Sequence, residues 1–523
     1  MALVTVAYML AVAWVAGISG SQVKIFSRML GFNDFAFGIM AALPFVATFA
    51  QLLASVLIER TGLLKYQFMQ CATVHRALWA VVAIIPFLLP VPSSAAVVTM
   101  MCVLGASWVM NALATPAWLT WMGRLIPRRI RGRYFGARER WGIMAQTVCV
   151  VAIGVVLDVV YDPRVGDVAT LQPIVLRVIS VVFIAAALCG VMDILLFHKV
   201  PEVLAPQLPE RPGDDSWRRP PGRPPVKAIE DLLIGPMRDR VFRHYVLFGA
   251  TMMFSITVGS WYFWLNAMEN LGFSPLATQT LFLVIGPLAG VASARAWGVA
   301  IDRWGRRPVL ILSSVVLTVM LLPWLFVSRQ TPSPAFVADG INAASAWAGG
   351  LLGRSSHVLI PPEAAVGAYL VVAICTVIAG AAATGMNLAQ VGIVLGFSDG
   401  SGQSRYVAAS SVFISIGGTL GGVVGGLVTQ LLKGVEIHAG TLFWNNWHAA
   451  FLVAVIARAV SVFWLAGMPE PGAVRVRYLV RAISENIFNS VASRVFLPLR
   501  AFGWRKPEHR RDRPRPRGRH PEE

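Results

Sequence analysis

The ten-residue stretch GVAIDRWGRR, residues 298–307, decides the fold of this chain. It carries one acidic and three basic residues, and it lies between two apolar segments, at about 276–299 and 308–327. Each segment has roughly the 20 residues that a helix needs to cross a bilayer. Gly298 allows helix ends to approach closely, and Gly305 permits a turn that a Cβ atom would obstruct. The stretch therefore predicts two membrane-spanning helices joined by a short, charged turn.

Ten more apolar segments of similar length lie along the chain, so twelve membrane crossings are predicted. The composition agrees, because 56% of the 523 residues are hydrophobic and only 14% are charged, against about a quarter in soluble proteins. The first segment lacks the basic leader and the cleavage site of a signal peptide, so we interpret it as a helix. The ten segments lie at about 3–22, 35–58, 72–92, 96–121, 141–161, 173–197, 243–265, 366–390, 406–432 and 446–467.

The basic residues are distributed unequally between the two sides of the membrane. With the amino terminus inside, 37 of the 45 Lys and Arg residues lie in cytoplasmic segments and seven in outer ones. The short loop 124–140 alone holds seven Arg, whereas the outer loop 93–95 holds none. Because short cytoplasmic loops are enriched in Lys and Arg, both termini are predicted to be cytoplasmic. Orientation therefore explains the net charge of +19, and no nucleic-acid partner is expected.

Three short motifs recur in the same order in the two parts of the chain, which favours a six-plus-six arrangement of the helices. The matched pairs are 59–62 with 302–305, 133–134 with 405–406, and 200–202 with 468–470. The predicted organisation is a six-helix bundle at 1–198, a cytoplasmic Pro/Arg-rich linker with a short amphipathic helix at 199–242, a second six-helix bundle at 243–470, a cytoplasmic interfacial helix at 471–504 and a basic disordered tail at 505–523.

Residues 298–307 match the loop pattern Gly-x-x-x-Asp-Arg-x-Gly-Arg-Arg at every defining position, and in this the chain resembles the major facilitator superfamily. The equivalent stretch 55–65 is a degenerate form of the pattern. The loop 131–138, RGRYFGAR, resembles a string of a poorly characterised bacterial branch of that superfamily. The resemblance covers about residues 1–470. It implies an all-α, polytopic fold of twelve transmembrane helices in two six-helix pseudo-repeats, working by alternating access, usually as a monomer, in the bacterial cytoplasmic (inner) membrane.

The resemblance also implies a gating role for the charged loops that follow helices 2 and 8. Such a cluster can lock the two halves in one state and release them in the other. Anchoring at an anionic membrane surface is the alternative, which we favour for Lys65 and Arg307. The predicted gating residues are Glu59, Arg60, Gly298, Asp302, Arg303, Gly305 and Arg306.

In this superfamily helices 1, 4, 7 and 10 line the central cavity, so their polar and aromatic residues are candidates for the substrate site. Asn111, Thr115 and Trp118 lie at i, i+4 and i+7, which places them on one helix face. The aromatic run 261–264 could form a cage, although an interfacial aromatic belt explains at least half of it. The candidates are Trp14, Asn111, Thr115, Trp118, Tyr262, Trp264, Asn266, Thr384, Asn387 and Gln390.

Two ionisable residues at membrane depth, Asp193 and Arg458, are further candidates, because charges inside a bilayer are costly and usually functional. A structural ion pair is an equally good interpretation of each. Arg76 and Arg295 lie near helix ends, where their charged groups can reach the interface. Helices 1, 4, 7 and 10 contain no buried Asp or Glu, so the sequence predicts a neutral, hydrogen-bonding cavity without a central proton-coupling carboxylate.

These observations predict a secondary active or facilitated transporter of a small, neutral or amphipathic organic solute, and not an enzyme. The alternatives are an integral-membrane lipid-modifying enzyme and a transporter-derived sensor or scaffold that acts through the basic tail. The Cys and His residues are scattered, so no metal site and no cofactor are expected, and no catalytic residue is assigned. The expected partners are the small-molecule substrate and anionic membrane lipids at the C-terminal tail.

Overall fold

The apolar segments fold as helices because a helix satisfies its backbone hydrogen bonds within one segment, as a lipid environment requires. The computed structural model describes residues 2–126, 131–161, 168–202, 234–351, 366–397, 403–440 and 442–468. Most of the predicted linker, and the whole of the predicted interfacial helix and tail, lie outside the described residues.

The described residues are mainly helical. The helices are Ala2–Ile18 (α1), Ser21–Leu30 (α2), Asp34–Thr48 (α3), Ala50–Thr61 (α4), Leu64–Leu88 (α5), Ser94–Leu125 (α6), Arg131–Val160 (α7), Val168–Leu196 (α8), Arg240–Leu265 (α9), Pro275–Trp304 (α10), Arg306–Val319 (α11), Ala335–Leu351 (α12), Val366–Gly396 (α13), Gln403–Leu431 (α14) and Asn446–Ala466 (α15). π-Helical stretches lie at Asn266–Asn270 and, within α10, at Thr280–Ile285. Short 3-10 turns lie at Phe197–Lys199, Pro236–Arg238 and Leu322–Leu325. The strands Ile437–Ala439 (β1) and Leu442–Trp444 (β2) form an antiparallel hairpin.

All twelve predicted membrane segments coincide with helices, and the all-α polytopic fold is confirmed. Ten described helices are long and apolar enough to cross a membrane, and α1 with α2 forms an eleventh candidate that is bent by 41°. The predicted segment 35–58 is divided at Phe49 into α3 and α4. Pro44 has no N–H to donate, and the Thr48 hydroxyl donates to the Pro44 carbonyl oxygen (3.0 Å), so the helical ladder is weakened just before this break.

Each of the two charged loops has a glycine with a positive φ directly after the preceding helix. Gly62 has a φ of +66° after α4, and Gly305 has a φ of +96° after α10. Residues with a Cβ atom are strained at such angles, so both turns favour glycine. The glycine with a positive φ is common to residues 59–62 and 302–305, although ψ differs, at −4° for Gly62 and 166° for Gly305.

Helices α1–α8 form the first half of the fold and α9–α15 the second half. In the first half, α5 packs on α6 and α8, and α1 packs on α7 and α8. In the second half, α9 packs on α14 and α15, and α13 packs on α10 and α11. The halves meet where α3 packs on α14 and where α7 packs on the start of α10. We call the end of the molecule with Gly62 and Gly305 the inner face, and the end with Gly31 and Gly272 the outer face.

Helix α14 carries two stripes of glycine that pack against different halves. The first stripe faces α9, and the second faces α3 across the junction of the halves. The junction is tight, because a Cβ atom at Gly38 of α3 would stand 2.5 Å from the Gly422 carbonyl oxygen. Small residues thus allow the helix backbones to touch. The stripes are Gly417, Gly421 and Gly425, and Gly418, Gly422 and Gly426.

Candidate functional site

A pocket of about 240 Å³ lies within the first half, between α1, α5, α6, α7 and α8. Its walls combine charged, polar and aromatic side chains. Asn111, Thr115 and Trp118, which the sequence places on one face of a helix, all lie on the pocket wall. The other lining residues are Val4, Tyr8, Ala11, Phe68, Ala72, Arg76, Ala114, Arg138, Asp193 and Phe197.

An ion pair between Arg76 of α5 and Asp193 of α8 lines this pocket. The Arg76 Nη2 atom lies 2.6 Å from the Asp193 Oδ2 atom, and the two side chains are 12% and 3% exposed. The Arg76 guanidinium carbon also lies 4.7 Å from the centroid of a Trp14 ring. Trp14 therefore contacts Arg76 rather than the pocket. Arg76, which the sequence predicts to reach the interface, instead pairs with Asp193 inside the helix bundle.

A second guanidinium reaches the pocket from α7. Arg138 is 8% exposed, and its Cζ atom lies 4.0 Å from the Tyr8 ring centroid and 5.5 Å from that of Trp118. The Tyr8 hydroxyl donates a hydrogen bond to the Glu139 carboxylate (2.8 Å). Two guanidinium groups and one carboxylate thus line the pocket, which differs from the neutral cavity predicted from the sequence. The charges come from α5, α7 and α8, whereas the neutral cavity was predicted from helices 1, 4, 7 and 10.

The sequence contained a feature that points to Arg138. Arg138 is the last residue of the RGRYFGAR string, which the distribution of basic residues placed in the cytoplasmic loop 124–140. Helix α7 begins at Arg131, so Arg138 lies about two turns inside the helix. The motif was visible in the sequence, but the start of α7 at Arg131, which places Arg138 inside the helix, was not.

A larger cavity of about 590 Å³ lies within the second half, between α9, α10, α11, α13 and α15. Thr384 and Arg458 are the two predicted candidates that line it. Arg458 is 9% exposed, its Nε atom donates to Ser255 Oγ, and its Nη1 atom donates to the Leu317 carbonyl oxygen, each over 3.2 Å. No carboxylate pairs with Arg458 in the part of the chain that the structure describes. The structural ion pair considered for this residue is thus not found there.

Six predicted cavity residues lie outside both pockets: Trp14, Tyr262, Trp264, Asn266, Asn387 and Gln390. Asn387 is exposed and Gln390 is partly buried. Asn266 is fully buried, and its side-chain oxygen accepts a hydrogen bond from Asn270 (2.9 Å). Tyr262 and Trp264 lie near the outer face, where they contribute to contacts between the halves.

Asp34, the first residue of α3, is the centre of a polar cluster that joins the halves at the outer face. Its Oδ1 atom accepts from Arg28 Nη1 (3.0 Å), and its Oδ2 atom accepts from Asn446 Nδ2 (2.6 Å) and Trp447 Nε1 (3.2 Å). The Tyr262 hydroxyl donates to the Asp34 backbone carbonyl oxygen (2.9 Å). Arg28 and Asp34 belong to the first half, and the other three residues belong to the second.

Arg28 extends the cluster to Glu269 of the second half. Its Nε and Nη2 atoms lie 2.9 Å and 3.0 Å from the two carboxylate oxygens of Glu269, which is the bidentate geometry of strong arginine–carboxylate pairs. The hydropathy pattern predicts that the first helix ends at residue 22, which places Arg28 in an outer loop. In the structure, Arg28 lies within α2, which continues to Leu30. We call Arg28, Asp34, Glu269, Asn446 and Trp447 the outer cluster.

Two further contacts cross between the halves beside the outer cluster. The Gln279 side chain donates to the Gln22 side-chain oxygen (2.9 Å), with both residues fully buried. Lys24 is 7% exposed, and its Nζ atom lies 4.1 Å and 4.5 Å from the ring centroids of Trp264 and Trp261. Cation–π contacts of this kind gain strength when water is excluded. The outer face is therefore held together by buried polar contacts.

Arg306 and Arg307 of the inner-face loop make described hydrogen bonds to carbonyl groups of their own half. Arg306 donates to the Gly392 carbonyl oxygen at the end of α13 (2.7 Å). Arg307 donates to the Leu465 (3.1 Å) and Ala466 (2.6 Å) carbonyl oxygens at the end of α15. Cations are favourable at helix C-termini, where carbonyl groups lack partners. These hydrogen bonds stabilise the second half and do not join the two halves.

The other predicted gating residues make few contacts. Asp302 and Arg303 are exposed, and the Arg303 guanidinium carbon lies 5.2 Å from the Trp304 ring centroid. A Cβ atom at Gly298 would meet no described heavy atom within 4 Å, so the close helix approach predicted there is not observed. The side chains of Glu59 and Arg60 lie outside what the structure describes.

Comparisons with known proteins agree with this architecture. Residues 1–355 match the family model described as Major Facilitator Superfamily. No curated protein matches the chain in sequence. One similar solved structure is a D-xylose–proton symporter, with 13% sequence identity, coverage of 90% of this chain and 98% of that chain, and a TM-score of 0.58. A second is the inward-open xylose transporter XylE from E. coli, with 15% identity, coverage of 92% and 98%, and a TM-score of 0.55. A third is the nucleoside transporter NupG, with 13% identity, coverage of 89% and 98%, and a TM-score of 0.52. At these sequence identities, the structural similarity shows a shared fold and not a shared substrate.

Proposed function

The chain belongs to the major facilitator superfamily, and on this premise we propose that it moves a small amphipathic organic solute across the bacterial inner membrane by alternating access. The family and the fold indicate membrane transport, and they point to a transporter rather than an enzyme. The positive-inside distribution supports cytoplasmic termini, with the inner face toward the cytoplasm.

The observation that carries the proposal is the difference between the two faces. At the outer face, the outer cluster, the Gln22–Gln279 hydrogen bond and the tight α3–α14 junction join the halves. At the inner face, the described hydrogen bonds of Arg306 and Arg307, to Gly392, Leu465 and Ala466, stay within the second half. This asymmetry supports an inward-facing state whose outer contacts must open for the other state to form.

The first-half pocket is the proposed binding site for the polar part of the solute. Arg76, Arg138 and Asp193 offer charge-assisted hydrogen bonds, and Asn111 offers both a donor and an acceptor. Trp118 adds an aromatic surface for an apolar part. Small-molecule sites commonly combine apolar walls with a few convergent polar groups, as this pocket does. The mixture of groups favours an amphipathic solute over a purely apolar one.

A thermal-shift screen of the purified protein in nanodiscs, using chemically diverse organic solutes, tests this proposal. A solute present at 100 times its Kd is expected to stabilise the protein by about 2.7 kcal/mol. Asn111→Leu should remove the stabilisation, because it removes two hydrogen-bonding groups from the pocket wall. Asn387→Leu is the matched control and should keep it, since Asn387 lines neither pocket. Equal effects of both variants, or no stabilising solute at all, would contradict the proposed site.

Asp302→Asn tests the proposed gate. Asp302 is exposed, and if the structure is inward-facing as proposed, its carboxylate should act when the inner face closes. The variant should bind the solute found in the screen with unchanged affinity, but should transport it several-fold more slowly in proteoliposomes. Arg307→Gln is the comparison, because Arg307 binds helix-end carbonyls of its own half and should affect stability more than rate. Unchanged transport by Asp302→Asn would remove Asp302 from the gate.

A further inference from the structure

We propose that the second-half cavity is a separate binding site for a monoanionic amphiphile, a carboxylic acid with an apolar body, whose carboxylate binds Arg458. This site is independent of the first-half pocket and would hold its ligand whether or not that ligand is transported. The inference rests on three features: a buried guanidinium without a carboxylate partner, a cavity beside it, and an almost entirely apolar lining.

Among the described residues, no carboxylate compensates the charge of Arg458. The residue lies about twelve residues into α15 and is 9% exposed. Its two hydrogen bonds go to neutral groups, the Ser255 hydroxyl and the Leu317 carbonyl oxygen. Arginine keeps its charge in proteins, and a charge near the centre of a spanning helix is costly to insert into the membrane. An anion bound beside Arg458 would offset much of this cost.

The cavity beside Arg458 is suited to an apolar body. Its volume of about 590 Å³ falls within the roughly 300–1,000 Å³ of small-molecule pockets. Phe263, Phe282 and Trp324 provide much of its aromatic wall. The hydroxyls of its two threonines, Thr376 and Thr384, already donate to carbonyl oxygens of their own helix. Among the described lining residues, Arg458 is the only charged one.

These features select the chemistry of the ligand. One guanidinium neutralises one negative charge, so a carboxylate is better matched than a doubly charged phosphate monoester. The Nε and Nη1 atoms are engaged, and Nη2 has no partner among the described residues, which leaves donor capacity for a carboxylate oxygen. An uncharged alcohol would leave the charge unpaired, and an amine would add a second positive charge. A carboxylate with an apolar chain or ring system satisfies both parts of the site.

Binding of radiolabelled dodecanoate to the full chain in phosphatidylcholine nanodiscs tests the proposal, with dodecanol and dodecylamine as competitors of equal chain length. We expect saturable binding that unlabelled dodecanoate displaces and that dodecanol and dodecylamine do not. Arg458→Gln should weaken the affinity roughly tenfold or more, because a hydrogen bond between charged groups is lost. Arg295→Gln, which alters an exposed arginine of the same half, should leave the affinity unchanged.

A cavity-filling variant keeps the test decisive if Arg458→Gln does not fold. Ala379→Phe retains Arg458 and fills part of the same cavity, so dodecanoate binding should fall while the protein remains folded. Adding phosphatidylglycerol to the nanodiscs distinguishes a lipid headgroup from a free acid. Loss of dodecanoate binding in its presence would overturn the free-acid assignment. Equal binding by the wild type, Arg458→Gln and Ala379→Phe, or displacement by dodecanol, would overturn the site itself.

Discussion

Gly38→Ala is expected to hold the outer face open and to reduce transport roughly tenfold or more. The added Cβ atom would stand 2.5 Å from the Gly422 carbonyl oxygen and 2.5 Å from the Gly426 Cα atom. Both are backbone atoms, so α3 and α14 must move apart to accommodate it. Overpacking of this kind costs about 1–3 kcal/mol, and each 1.4 kcal/mol changes a population ratio about tenfold. The cost applies only to the state in which the outer face is closed.

Distances between spin labels measure this effect without a known substrate. Leu88 of the first half and Leu431 of the second are exposed at the outer ends of α5 and α14. A label pair at these sites should move apart in Gly38→Ala. Gly105→Ala is the matched control, because its Cβ atom would meet only a Leu43 side-chain carbon, at 3.8 Å. An unchanged outer distance in Gly38→Ala would mean that the α3–α14 junction does not control closure.

Hydropathy was sufficient to locate the helices because the membrane imposes their length and apolar composition. It failed where tertiary contacts compensate polar residues. The first helix was expected to end at residue 22, since Gln22, Lys24 and Arg28 interrupt the apolar run. In the structure α2 continues through them, because each finds its partner in another element, among them the amide of Gln279. A polar residue near a helix end therefore does not by itself mark the membrane boundary.

The residues of the first-half pocket were predictable only where they lie on one helix, because helical periodicity then shows which side chains share a face. Asn111, Thr115 and Trp118 share a face because helical periodicity places them there, and that face lines the first-half pocket. The charged groups were harder to place, because Arg76 and Asp193 are 117 positions apart in sequence. Asp34 and its partner Asn446 are 412 positions apart. The packing of helices that are far apart in sequence determines which of these residues pair. A single sequence shows no periodic pattern from which that packing can be predicted.

Asp193→Asn is expected to lower the free energy of unfolding by about 3–5 kcal/mol, because it leaves the Arg76 guanidinium buried without a counter-charge. The two side chains are 12% and 3% exposed, so bulk water screens the remaining charge only weakly. The measurement is SDS-induced unfolding in mixed micelles. Glu269→Gln is the control, since the Arg28–Glu269 side chains are 32% and 37% exposed and solvent screens this pair more than the buried one.

A double substitution separates the structural role of this pair from its role in binding. Replacing Arg76 with Met and Asp193 with Leu removes both charges, and well-packed apolar residues often restore the stability of a buried ion pair. We therefore expect the double variant to regain most of the lost stability, yet to bind no solute that depends on the first-half pocket. If Asp193→Asn destabilises the protein no more than Glu269→Gln, the pair is solvated in the folded protein. If the double variant binds the solute normally, the charged wall of the pocket serves packing alone.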